Sequence, residues 1–137
     1  PSGQVMVAID SGRADGTLVT NRSVYIGPHT FGGIRWVLSD GRLVEHRYRT
    51  GGKVFDQEFD AAPEGKDRFG FLSIGLNPRS RDLPPCEDTE EGSVLVGVGG
   101  NGMAGGRRRI PFMGAALIGG ATLEVDGKVV ASGGRIR

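Results

Sequence analysis

Cysteine is almost missing from this chain. Cys86 stands alone among 137 residues, so no disulfide can close within it, and a fold held by staples is excluded. Such usage fits a cytosolic protein. Histidine is scarce as well, with only His29 and His46, and neither sign of charge dominates: 17 Lys+Arg against 16 Asp+Glu leave a net charge of +1. A balance this even produces no field to gather nucleic acid or an anionic membrane, and Arg107, Arg108 and Arg109 make only a local basic spot. No apolar run approaches the roughly 20 residues needed to span a bilayer. Nothing near Pro1 reads as a signal peptide. The expectation is a cytoplasmic protein with no nucleic-acid and no membrane partner. A first residue that is not methionine implies a chain that was processed or cut from something longer.

What is abundant is glycine, 25 of 137 residues, without the three-residue period of collagen. Short apolar groups between the glycines argue for many short strands and tight turns. The length suits one domain over residues 1–137, able to bury a core of its own. The centre of the pattern is Phe69 to Gly106. Phe69–Leu76 and Ser93–Val98 are short and rich in branched or aromatic residues, which favours strands; the three prolines, Cys86 and the acids between them read as a surface excursion. Gln4–Ile9 alternates as a strand, and Thr17–Ile26 reads as strand broken near Asn21-Arg22. The triplet Asn21-Arg22-Ser23 matches a glycosylation acceptor pattern. Phe31–Tyr48 reads as a hairpin with Asp40-Gly41 as its two-residue turn and Ile34, Trp36 and Leu38 on one face. A second hairpin turns at Asp126-Gly127. Lys53–Ala61 is the helix candidate, with Phe55 and Phe59 four apart and Pro63 beyond its end. Residues 110–120 read as an irregular, glycine-broken strand. Together these elements predict an α+β, mostly β domain.

Candidate chemistry is sparse. Gly97-Val98-Gly99-Gly100-Asn101-Gly102 satisfies the dinucleotide spacing after a strand, but Met103-Ala104-Gly105-Gly106 is a poor helix start, so the loop reads as one needing positive φ or close backbone packing. Arg107, Arg108 and Arg109 beside it are candidate anion contacts. His29 and His46, with Asp56, Glu58 and Asp60 near in sequence, show no tight metal-ligand spacing. Cys86 lies beside Glu87 and Asp88, whose charge raises a thiol pKa, and Glu87–Glu91 reads as a solvated loop edge. Asn77-Pro78 reads as a fixed turn tied by the asparagine side chain.

Taken in order, Pro1-Ser2-Gly3-Gln4-Val5, Ser73-Ile74-Gly75-Leu76-Asn77-Pro78, Glu87-Asp88, the glycine-rich loop and Thr122-Leu123-Glu124-Val125-Asp126-Gly127 resemble the carboxy-terminal catalytic part of the thermophilic metallo-aminopeptidases. That group contains aminopeptidases T and S and, more distantly, dihydroxypyridine dioxygenase. The resemblance runs over nearly the whole chain. It implies an aminopeptidase T-like carboxy-terminal domain, with a twisted antiparallel or mixed sheet, several hairpins and one short helix. It also implies a pair of metal ions held by two glutamates, two histidines and an aspartate. On this sequence those positions fall on Gln4, Phe71, Leu95, Met113 and Ala115, none of which carries an anionic or imidazole donor. The expectation that follows is a non-catalytic domain without metal or other cofactor, acting in binding or assembly, with a protein partner, a homodimer or a small molecule in the converted apolar cleft. The alternative is a hydrolase or oxygenase-type enzyme related to the metallo-aminopeptidases, using a different site, such as one recruiting His29 and His46, or a missing subunit.

Overall fold

The computed structural model describes residues 3–10, 12–80 and 87–137; of Glu87 it describes the backbone only, and Pro1 and Cys86 lie outside these residues. The core is a four-stranded antiparallel sheet in the order β1 (Gln4–Ala8), β7 (Phe69–Gly75), β8 (Val94–Gly99), β9 (Met113–Ile118). Both central segments expected to be strands are strands, and every residue of β8 is buried. Residues 113–118 depart from the expected irregularity: β9 pairs with β8 in unbroken register from Val94↔Ile118 to Gly99↔Met113. Gly114 does not break this strand. It makes room, since a Cβ there would stand 3.1 Å from the Phe55 ring and 3.5 Å from Trp36.

A second sheet orders β2 (Gly16–Val19), β5 (Arg35–Ser39) and β6 (Arg42–Arg47). Its hairpin turns where the sequence predicts, with Asp40 at φ 51° and Gly41 at φ 76°, the pair of positive values that a two-residue turn matched to strand twist demands. Ile34 and Trp36 are fully buried. The strand expected over 17–26 is divided between two sheets: after β2 the chain bends at Asn21 and re-forms as β3 (Val24–Ile26), paired with β4 (His29–Phe31). The amide of Asn21 is spent on this bend, donating to Gly119 O at 3.0 Å and accepting from Gly119 N at 2.8 Å, so the glycosylation reading gives way to a structural one. His29, expected in a loop, is in β4. The last sheet is β10 (Leu123–Val125), β11 (Lys128–Ser132) and β12 (Arg135–Ile136).

The helix α1 (Gly52–Ala61) lies one residue from its expected start and ends as Ala62 turns to extended backbone ahead of Pro63. Its Phe55 is the buried residue of the helix and the middle of an aromatic cluster. The ring stacks on Tyr48 at 4.5 Å and on Phe59 at 5.5 Å, and meets Phe112 edge-on at 5.8 Å. Trp36 Nε1 donates to Tyr48 Oη at 3.0 Å, satisfying a buried N–H inside the cluster.

Candidate functional site

Strand register decides which side chains can meet. Because side chains alternate across a sheet, the paired positions Met6↔Ser73, Ser73↔Leu95 and Leu95↔Leu117 form one row across all four strands. The next row is Ala8↔Phe71, Phe71↔Gly97 and Gly97↔Ala115. Gly97 is required there, because a Cβ at that position would collide with the Phe71 ring. Over these rows lies β3, and between floor and roof is a cavity of about 270 Å³. Gln4, Phe71, Leu95, Met113 and Ala115 all line it, so the five positions picked out in sequence converge on one space.

The walls are hydrocarbon and thioether for the most part: Met6, Phe71, Leu95, Met113 and Leu117. Gln4, Ser23, Tyr25 and Asp88 are the polar residues bordering it. The fully buried Ser73 donates its Oγ proton to Gln4 Oε1 at 3.1 Å, which fixes that amide and leaves its NH₂ as a donor. Asp88 sits on a short 3₁₀ turn, Glu87–Thr89, pinned from inside by Ser93 Oγ donating to Glu90 O at 2.7 Å and by Thr89 Oγ1 donating to Ser80 Oγ at 3.0 Å. This segment departs from the expected solvated edge. Thr89 and Glu90 are buried, and Glu90 Oε2 lies 3.6 Å from Arg22 Nη2. Asn77 holds the turn before it as expected, its Oδ1 accepting from Arg79 N at 2.9 Å.

The donors on this cavity do not fit a metal pair. An amide, a phenyl ring, an isobutyl group, a thioether and a methyl group occupy the five positions, and two divalent ions need several anionic or imidazole donors. Among the described residues no three His, Cys, Asp or Glu side chains gather closely enough to hold an ion. The two histidines border neither the cavity nor each other's partners. His46 packs against Phe55 and Phe59 at 4.9 Å each, with Nδ1 3.4 Å from Asp56 Oδ1. His29 faces Phe31 at 6.3 Å. Of the acids expected nearby, Asp56 meets His46, whereas Glu58 lines a groove instead.

The glycine-rich loop is organised by a residue that spacing alone did not single out. Asn101 is fully buried; its Nδ2 reaches Ile9 O, Asp10 Oδ1 and Gly70 O at 3.0–3.1 Å, and its Oδ1 accepts from Arg108 N at 2.9 Å. A 3₁₀ turn, Gly102–Ala104, follows in place of a helix, so the phosphate-holding N-terminus that the dinucleotide spacing requires does not form. The three arginines part ways. Arg107 gives its backbone N–H to Asp10 Oδ1 at 2.7 Å, and that bond, with the Asn101 amide, holds the Asp10 carboxyl below its usual pKa. Arg108 is half-buried, donating from Nη1 to Gly99 O at 3.1 Å and Phe69 O at 3.3 Å; burial, then the charge of Arg68, pulls its pKa below the ordinary guanidinium range. Arg109 stays exposed.

These features define a mostly-β domain built on an antiparallel sheet with a cavity on one face. No family model matches the chain, nor does any curated protein. Among solved structures the fold is similar to 2,5-dihydroxypyridine dioxygenase from Pseudomonas putida KT2440, with a TM-score of 0.72 and 17% identity over 96% of this chain and 42% of that one. The chain therefore spans less than half the length of that enzyme. This match corrects the family reading. The likeness falls on the dioxygenase that the resemblance held to be the distant member, not on an aminopeptidase T- or S-like domain, so neither the aminopeptidase T-like fold label nor the peptidase-derived pseudoenzyme description stands. The expectation of a non-enzymatic role loses its basis with them, because it was drawn by laying a peptidase ligand pattern over these residues and the fold match is to a dioxygenase instead. No helix among the described residues is long and apolar enough to cross a membrane.

Proposed function

We propose that this chain serves in an oxygenase-type enzyme, where its cavity binds a small aromatic ring. The observation that carries the reading is the cavity itself: about 270 Å³ of mostly apolar wall with a few polar groups at its border, the composition of a small-molecule site. The neighbour of like fold is a dioxygenase of 2,5-dihydroxypyridine, a single ring with polar substituents. In this chain Phe71, Leu95 and Leu117 strip water from the ring faces, Met6, Met103 and Met113 adapt to its outline, and Gln4 and Asp88 offer a donor and an acceptor to ring hydroxyls. The groups that react with oxygen come from beyond these residues, from a second chain or a further segment, which gives the expected partner or homodimer a role. No step runs through a metal on the five positions, since their donors do not fit one. A hydrolase finds less support, because neither histidine borders the cavity where Ser23 stands.

The test is oxygen uptake by the complete protein with 2,5-dihydroxypyridine and with catechol, beside a ring titration followed by the methyl signals of Leu95, Leu117 and Met113. Ring-dependent uptake and shifted methyl signals are expected in the parent, and both disappear in Ala115→Phe, which fills the cavity. Methyl signals that stay unmoved at saturating ring concentrations would overturn the reading.

A further inference from the structure

We infer that the ligand is a ring bearing an anionic tail, with the ring in the cavity and the acid held by Arg109 in the adjoining groove. This rests on the reading of the cavity as a ring site. The groove, about 940 Å³ and open to solvent, runs between the C-terminal end of α1 and residues 108–113, and it shares Ile26, Met103 and Met113 with the cavity. Those three side chains form the common wall of the two spaces. Met103 is 60% exposed and sits on the one-turn segment closed by Gly105 at φ 86°; a flexible thioether there is a partition that a ligand can displace. Beyond it, Pro63, Ile110 and Pro111 supply apolar surface for a short hydrocarbon tail.

The loop's own bonds select Arg109 from the three arginines. Arg107 lines neither space and is fixed through its backbone to Asp10. The Arg108 guanidinium is committed to two carbonyls. Arg109 lines the groove, lying along Gly102, and among the described residues no acid or carbonyl engages its guanidinium. Because Asn101 and Asp10 clamp the residues before it, the Arg109 backbone is held in place and only its side chain needs ordering to meet an acid. Glu58 also lines the groove and opposes an anion there.

The complete protein is titrated with benzyl alcohol, with ω-phenylalkanoates from phenylacetate to phenylhexanoate, and with their methyl esters. An acid of matching length is expected to bind about two- to fivefold tighter than its ester, the range of an exposed ion pair, and the gain shrinks with added salt. Arg109→Ala removes the gain, Arg107→Ala keeps it and Glu58→Gln enlarges it. Equal binding of acid and ester at every length, or the same loss in both arginine variants, overturns the inference. If benzyl alcohol still binds and Ala115→Phe still blocks it, the ring site stands while the tail site falls; if no probe binds, both fall.

Discussion

Gly97 sets the packing at the cavity floor. Its missing Cβ admits the fully buried Phe71 ring, and that ring forms part of the cavity floor. Gly97→Ala should cost about 1–3 kcal/mol, the usual penalty for overpacking a tight core, read as a lower urea midpoint with an unchanged slope. Asp10 works at the surface, tying β1 to the glycine loop. Its carboxyl is held below the ordinary value of 3.8 by the Arg107 N–H first and the Asn101 amide second. A depressed acid stabilises the fold above its unfolded pKa, and that contribution is lost as pH falls through the folded one. The protection factor of the Arg107 amide proton, taken against its intrinsic exchange rate at each pH, should therefore fall below about pH 4 in the parent, whereas Asp10→Ala should show the lower protection already at neutral pH.

At the scale of elements, the hairpins were the most legible part of the sequence. Asp-Gly between alternating residues fixes a turn locally, and both turns adopt it: Asp40 and Gly41 at φ 51° and 76°, Asp126 and Gly127 at φ 50° and 78°. The two glycines still differ in surroundings. A Cβ on Gly41 would stand 2.6 Å from Gly12 O, whereas nothing lies within 4 Å of one on Gly127. Both Gly→Ala variants carry the left-handed strain of about 1–2 kcal/mol, but Gly41→Ala should destabilise more, by an amount thermal unfolding of the pair will read. The helix was equally legible from Phe55, Phe59 and Pro63. The β3–β4 hairpin that roofs the cavity was not, although Gly27-Pro28, with Gly27 at φ 59°, is a turn signal. Three-residue strands are too short to show a period, and their pairing is decided by what lies beneath them.

For the whole molecule, the aromatic cluster between α1, the β5–β6 hairpin and β9 is where the layers lock, and it carries a pH signature. Burial pushes the Tyr48 phenol well above its ordinary 10.0, only partly offset by the Trp36 N–H. A raised phenol favours the neutral folded form, so its contribution is intact below about pH 10 and declines as pH climbs toward the folded value. Unfolding midpoints should drop on the alkaline side in the parent and drop less in Tyr48→Phe. That variant should itself be weaker at neutral pH by about 1–3 kcal/mol, because the indole N–H loses its acceptor. The sequence by itself determined the strands of the central sheet, the turns and the one helix, since alternation, Asp-Gly pairs and a proline stop act over a few residues. It also pointed to Gln4, Phe71, Leu95, Met113 and Ala115, though through a peptidase pattern that the fold comparison does not support. Only the tertiary structure decided that these five share one cavity, that Thr89 and Glu90 turn inward, that Asn101 commands the glycine loop and that, of the two arginines lining the groove, Arg108 is spent on carbonyls while Arg109 is not. Those outcomes depend on strand register and on contacts between residues more than 90 positions apart, such as Asn101 with Asp10 and Ile9, where local preference has no say and packing chooses.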